Sequence, residues 1–424
     1  MDLVDGGLEV QINEPGTPSN NSPFFKSGRT SRCQIRIGMT DAPHQTLATS
    51  PAAHAPNNRA HGLSQKWTLA HDFAFVFGGA ELVTAALAEH VVPSSEMIYL
   101  AGDGQVADQL AQDPKRILPA SVTEKNFRYL LPWYPSIVGR RSPVEGNLLA
   151  SSYSFCHHLQ CTGTKVVYCH APLRQAWNNA EIYADNTSVV ESMATGAFGK
   201  FLRKRDLEAS KSVKTFVATS RAVKRRIEKF YGRYDVPIIA PPVRMPSPIA
   251  TATQSQRSGI LWVGRITEPY KRLTLLIEAM NMLPELHLTV VGDGRDAPRI
   301  RSKSPSNVTF AGWVERETLH QYYSSAEALI FPSEDDFGIS VIESLAMGTP
   351  VVAFRAGGAL DNIVEGVNGL FFNNPNAREL ASSIRAAIGA DWNYAGIHRS
   401  SREKFGEAHF AEQMKEILEK SVNE

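Results

Sequence analysis

Twice along the chain, short apolar runs of strand length alternate with longer stretches of helical periodicity. The later series is the clearer, with runs at 259–263, 286–291, 308–311, 328–331, 351–354 and 370–372, and an amphipathic stretch such as 273–282 between them. Runs that are apolar at nearly every position suit strands buried on both faces, and such strands belong to parallel sheets whose crossovers are helices. An earlier series at 67–76, 97–101, 147–153, 165–169, 215–219 and 237–240 repeats the pattern. The expected fold is therefore α/β, with one doubly wound, Rossmann-like domain over 67–244 and a second over 258–400. In open sheets of this kind ligands gather beyond the carboxyl ends of the strands.

The remaining segments read differently. Residues 1–66 are rich in Ser, Thr, Asn, Pro, Gly and His, cannot bury enough apolar surface to order themselves, and are expected to form a disordered extension, with Met39 as an alternative start. Residues 245–257, with Pro246 and Pro248 among repeated Ser and Thr, read as a linker. A terminal helix is expected over 405–422, with Phe410, Met414, Ile417 and Leu418 on one face, so that 401–424 forms a closing segment. Lys and Arg number 44 against 43 Asp and Glu, so no global field points to nucleic acid. The four cysteines lack zinc-ligand spacing and read as reduced thiols. No apolar run reaches the length of a membrane span and the amino terminus has no leader pattern, which implies a cytoplasmic protein.

The chemistry concentrates in four places. Residues 331–350 join a strand end, a carboxylate-rich turn with Asp335 and Gly338, and a helix carrying Glu343. The amides around Phe337, Gly338 and Ile339 would face an anion at the positive helix end, while the carboxylates would pair with hydroxyls. The alternative is that Ser340 and Glu343 form a capping box and Asp335 merely caps the helix. Arg265 and Lys271 follow the strand at 259–263 and offer a planar fork and a point charge for a diphosphate. Gly78 and Gly79 form a turn between strand and helix, and Gly357 and Gly358 form another, each open to reading as an amide cradle or as plain turn geometry. His170 stands at the carboxyl end of the short strand 165–169, and the Ala171-Pro172 that follows stops the run. Glu334, Asp335 and Asp336 form an acidic triplet better read as a solvated turn than as a metal site, and Gly292-Asp293-Gly294 lacks the dinucleotide fingerprint spacing.

Taken in order, these motifs resemble the retaining GT-B glycosyltransferases of family 4, with Asp335 where the first glutamate of the family signature usually stands. The Pro-Tyr-Lys-Arg run at 269–272, the Glu-Asp-Asp-Phe-Gly-Ile run at 334–339 and the Tyr-Cys-His-Ala-Pro-Leu-Arg segment at 168–174 look most like bacterial mannosyltransferases of polysaccharide assembly. The resemblance covers about 67–420. It implies two Rossmann-like domains facing a cleft, with the terminal helix returning to the first. It implies that His170, Asp335, Arg265 and Lys271 act in catalysis, and that Gly78, Gly79, Phe337, Gly338, Ile339, Glu343, Gly357 and Gly358 contact substrate. The implied partners are a nucleotide-sugar donor, GDP-mannose first, and a glycan or lipid-linked acceptor, with no metal and no other cofactor. A UDP-sugar-dependent transferase of the same fold and a non-catalytic nucleotide-sugar-binding protein are the alternatives. Aromatics and cations at 127–141, with Lys200, Arg203, Lys204 and Arg205, read either as an anionic membrane surface contact at the inner face or as core aromatics under solvated helices.

Overall fold

The computed structural model describes residues 65–177, 189–244 and 256–424; nearly all of the expected extension and most of the expected linker lie outside the described residues. The framework is two six-stranded parallel sheets. The first is built from β1 (Trp67–Ala74), β2 (Glu96–Gly102), β3 (Lys115–Arg116), β4 (Asn147–Ser152), β5 (Lys165–Cys169) and β6 (Thr215–Ala218), in the order β3-β2-β1-β4-β5-β6. The second uses β7 (Ile260–Val263), β8 (Leu288–Val291), β9 (Val308–Gly312), β10 (Ala328–Phe331), β11 (Val351–Phe354) and β12 (Gly369–Phe372), in the order β12-β11-β10-β7-β8-β9. Strand order reverses between β1 and β4 in one sheet and between β7 and β10 in the other. A crevice opens outside the carboxyl ends at each reversal, and the loops that follow those four strands converge there.

Burial explains why the strands read so clearly. Every residue of β1 is buried, including the polar pair His71 and Asp72, each with no exposed surface. Asp72 is satisfied by backbone: Oδ2 accepts the amides of Tyr153 at 2.6 Å and Ser154 at 2.7 Å, and Oδ1 accepts those of Phe155 and Cys156 at 2.6 Å each. The loop leaving β4 is thus wound around a carboxylate on β1, which locks the two strands of the reversal together.

Three elements differ from the sequence expectation. The run at 237–240 makes only an isolated bridge between Ile238 and Ala218, since Pro237 has no amide to donate and Pro241 and Pro242 follow directly. The edge strand β3 is two charged residues long and carries no apolar signal. The terminal segment is two helices, Tyr394–Phe405 and Glu407–Asn423, parted at Gly406, which has extended backbone angles of φ −66° and ψ 146°. The first of these packs Ile397 and Phe405 into the core of the second sheet, with Val341, Ile342 and Leu345. The second packs Phe410, Ala411, Met414 and Leu418 against Trp67, Leu69, Leu149 and Tyr168 of the first sheet. Among the described residues, no helix is long and apolar enough to cross a membrane.

Removing the carboxylate beneath the β4 loop leaves buried amides without acceptors. Asp72→Ala is expected to lower stability by roughly 3 kcal/mol, seen as a lower urea midpoint, and an unchanged midpoint would show that the loop does not need it.

Candidate functional site

In the second sheet, the turn after β7 carries Arg265 and then Lys271, passing through a cis peptide at Glu268–Pro269 before the helix Leu273–Met280. The loop after β10 runs to the helix Ile339–Ala346. Lys271 Nζ donates to Asp335 Oδ2 at 2.5 Å, with the two side chains 20% and 14% exposed. The other oxygen, Oδ1, is buried with no hydrogen-bond partner. Arg265 is exposed and makes no hydrogen bond or ion pair among the described residues. A carboxylate with one unfilled buried oxygen, a cation held against it and a free guanidinium together suit a ligand that is both hydroxylated and anionic.

The geometry decides between the readings of this loop. Gly338 is the helix N-cap with φ +83°, no side chain caps the first turn, and Ser340 and Glu343 form no capping box. Glu343 instead accepts from the Tyr323 hydroxyl at 2.9 Å, and burial raises its carboxyl above the ordinary range. Asp335 caps nothing, because its bonded oxygen faces Lys271. Nor does the acidic triplet converge, since Asp336 bonds Arg174 Nη2 at 2.5 Å and pairs with Arg226. Gly357 and Gly358 serve close approach: a Cβ on Gly357 would stand 2.3 Å from the Asp335 carbonyl oxygen, and one on Gly358 would stand 2.3 Å from Phe337 Cα. The Gly358 amide donates to Asp335 O at 2.9 Å, so this turn braces the loop and does not cradle an anion with that amide. The Phe337 side chain lies in the core, 6% exposed.

In the first sheet, Gly78 and Gly79 lead from β1 into the helix Gly79–Ala86. Glu81 Oε2 accepts the Gly78 amide at 3.0 Å, and Oε1 lies 3.3 Å from His71 Nε2. His71 Nδ1 is 2.9 Å from Thr84 Oγ1, Thr84 Oγ1 is 2.7 Å from Ser151 Oγ, and Ser151 Oγ is 2.8 Å from His170 Nε2. The glycine turn and His170, two separate sequence motifs, are therefore joined by an unbroken line of polar side chains. Burial and the neighbouring His71 lower His170 to about 3 from its ordinary 6.5, so the ring is neutral near neutral pH.

The two halves meet at these same loops. A Cβ on Gly79 would fall 2.1 Å from Ile339 Cδ1, so glycine there lets the helix of the second sheet seat against the first. Ser220 Oγ donates to Asp336 O at 2.5 Å, and the Arg221 amide donates to Asp361 Oδ2 at 2.7 Å. The Tyr270 ring has Arg174 at 5.4 Å and Lys271 at 5.1 Å. Arg174, Arg226 and Asp336 were missed as site residues because charges on a helix, in a basic run or in an acidic turn look solvated; the available signal was that Arg174 lies four positions beyond His170.

A second buried polar centre lies elsewhere in the first half. Asp206 Oδ1 takes His157 Nε2 at 2.9 Å and His158 Nε2 at 3.3 Å, while Oδ2 accepts Trp177 Nε1 at 2.7 Å and the Tyr231 hydroxyl at 2.8 Å. Asp206, His157 and His158 have ligand atoms close enough to hold a metal ion. With all four of its contacts satisfied by protein, the carboxylate acts here as a structural hub. Burial alone would raise Asp206, but hydrogen bonds from His157 and His158 outweigh it and hold the carboxyl below its ordinary range.

Residues 257–389 match a protein family described as "Glycosyl transferases group 1". The sulfoquinovosyl transferase of Arabidopsis thaliana is 33% identical over 156 residues, 35% of this chain and 28% of that protein. A GDP-mannose-dependent alpha-mannosyltransferase of Corynebacterium glutamicum is 34% identical over 96 residues, 22% of this chain and 23% of that protein. The chain thus spans less than a third of the length of either of these curated relatives. The sucrose-phosphate synthase of Thermosynechococcus elongatus superposes with a TM-score of 0.61 at 16% identity, covering 83% of this chain and 98% of that one. The architecture is the GT-B fold, two Rossmann-like sheets with their switch-point loops facing one another.

The buried histidines make the fold sensitive to acid. Burial, with the adjacent His157, lowers His158 to about 4 from 6.5, so the unfolded chain binds this proton first as pH falls. The stability contributed by neutral His158 is complete above pH 6.5 and is lost as pH falls through about 4. Urea midpoints are expected to drop between pH 7 and about 4, less so in His158→Gln. Equal pH dependence in both proteins would exclude this histidine as a source.

Proposed function

We propose that the protein transfers a hexose from a nucleotide sugar, GDP-mannose in the favoured reading, to a glycan or lipid-linked acceptor with retention of anomeric configuration. The observation that carries the reading is the Lys271–Asp335 pair with its unpartnered carboxylate oxygen at the β7/β10 reversal, with free Arg265 in the same turn after β7 as Lys271. The group 1 match encloses Arg265, Lys271, Asp335 and Glu343. The Corynebacterium relative, named for GDP-mannose, supports that donor.

In this reading the leaving diphosphate lies against Arg265 and Lys271, with the uncapped start of the helix Ile339–Ala346 adding a positive end. Charge grows on the diphosphate as the bond from the anomeric carbon to its oxygen breaks. Cations already in place therefore favour the transition state over the bound donor. Lys271 exchanges Asp335 for phosphate, and Asp335 turns to the sugar hydroxyls. Glu343 accepts from the ribose, and Trp313, 73% exposed just beyond β9, offers an aromatic face to the base. The acceptor hydroxyl attacks the face from which the diphosphate departs, and its proton passes to that diphosphate. His170 positions the sugar or the acceptor from the opposite loop.

A membrane-facing acceptor is consistent with one surface. Tyr129, Trp133 and Ile137 are 80%, 62% and 41% exposed, and the helix Tyr134–Gly139 packs against the helix Val189–Ser210, which presents Lys200, Phe201 and Lys204. Aromatic tips beside cations suit an anionic lipid interface.

The direct test is a panel of nucleotide sugars, with and without lipid-linked acceptors, scored for product and nucleoside diphosphate. Turnover is expected with GDP-mannose; turnover only with UDP-sugars would change the donor, and binding without turnover would leave a nucleotide-sugar-binding protein. Arg265→Ala and Lys271→Ala are each expected to cost roughly 2–4 kcal/mol in kcat with the fold intact, and wild-type rates in both would remove the diphosphate assignment. Asp335→Asn is expected to slow turnover about tenfold while Asp335→Glu retains substantial activity; full activity in the Asn protein would take Asp335 out of the site.

A further inference from the structure

The line of side chains from Gly78 to His170 has a direction that follows from counting protons. Each hydroxyl has one proton to give, each neutral imidazole one, and a carboxylate none. At one end Glu81 takes the Gly78 amide on Oε2, so its Oε1 takes a proton from His71 Nε2. With a single proton on its ring, placed on Nε2, His71 has a bare Nδ1. That bare Nδ1 lies 2.9 Å from Thr84 Oγ1 and needs the Thr84 proton, since giving it to Ser151 or to the Ala80 carbonyl oxygen would set two lone pairs against each other. The 2.7 Å contact between Thr84 and Ser151 therefore uses the Ser151 proton. Ser151 then has nothing left to donate, and its 2.8 Å contact with His170 is made by a proton on His170 Nε2. Among the described residues, His170 Nδ1 has no hydrogen-bond partner, and the ring is half-buried.

We infer that Glu81, His71, Thr84 and Ser151 are positioning residues that hold His170 in the Nε2–H tautomer, so that it meets its ligand as a hydrogen-bond acceptor through Nδ1. The chemical partner is a hydroxyl donor, which fits a sugar hydroxyl of donor or acceptor; this identification rests on the transferase reading above, whereas the tautomer does not. His71, Thr84 and Ser151 are all buried, so water does not compete for these bonds. The reverse direction requires both nitrogens of His71 to be protonated.

The experiment records long-range proton–nitrogen correlations of the full-length protein carrying 15N-labelled histidine, with the His170→Gln protein used to assign the His170 signals. The expected spectrum has His170 protonated on Nε2 and bare on Nδ1. Thr84→Val keeps the side-chain shape but removes the acceptor of the Ser151 proton, which then turns to His170 Nε2 and moves the imidazole proton to Nδ1. Thr84→Ser should keep the wild-type pattern. Should the valine protein fail to fold, Ser151→Ala frees Nε2 and should replace the single tautomer by an averaged pair. A wild-type ring protonated on Nδ1, or a tautomer unmoved by Thr84→Val and Ser151→Ala, overturns the inference. Once a turnover assay is in hand, Thr84→Val should lower kcat about tenfold with the donor KM little changed. The nitrogen spectra are readable without any activity, so a failed tautomer and a failed transferase reading give different results.

Discussion

Two adjacent carboxylates on the loop after β10 take their cations from different parts of the chain, and this division organises the cleft. Asp335 holds Lys271 from the turn beyond β7, within its own sheet. Asp336 holds Arg174 from beyond β5 and Arg226 from the helix Arg221–Tyr231, both on the other sheet. One of these neighbouring residues is thus paired within its own sheet and the next across to the other. A contact made of charged pairs is weaker at high salt than an apolar one of the same size.

The switch-point geometry explains why so little else is needed. Strand-order reversal gives a crevice, Gly79 lets Ile339 approach across it, and Gly357 and Gly358 bring the β11 turn onto the back of the acidic loop. Asp72 does on β1 what those glycines do on the second sheet, holding the loop after β4 by four amides. The side chains of the proposed site thus stand on loops braced by buried contacts, which is the condition under which preset charges lower a barrier.

The sequence made some of this legible and hid the rest for physical reasons. Runs such as 328–331 and 351–354 are apolar throughout, because a central parallel strand has no solvent face, and they match β10 and β11 residue for residue. Lys115 and Arg116 form an edge strand with no apolar demand, and so left no mark. His170 stood out because it follows an apolar run directly, and Arg265, Lys271 and Asp335 because they lie in the turns that leave such runs. Asp335's choice between capping and pairing was not readable, since it depends on whether Lys271, 64 positions away, reaches it. His71 and Asp72 carry no signal of their own inside the run 67–76; their meaning lies in partners at Thr84 and at 153–156 that only the fold brings near. The Asp206 hub likewise gathers four distant donors.

In the proposed reading the Lys271–Asp335 pair, with Arg265, belongs to a diphosphate and sugar site. The most direct measurement is a crystal structure of the protein with GDP and, separately, with UDP. The account predicts a diphosphate between Arg265 and Lys271 at the start of the helix Ile339–Ala346, with Lys271 released from Asp335. A diphosphate bound away from these residues, or bound with the Lys271–Asp335 pair still closed, would contradict it.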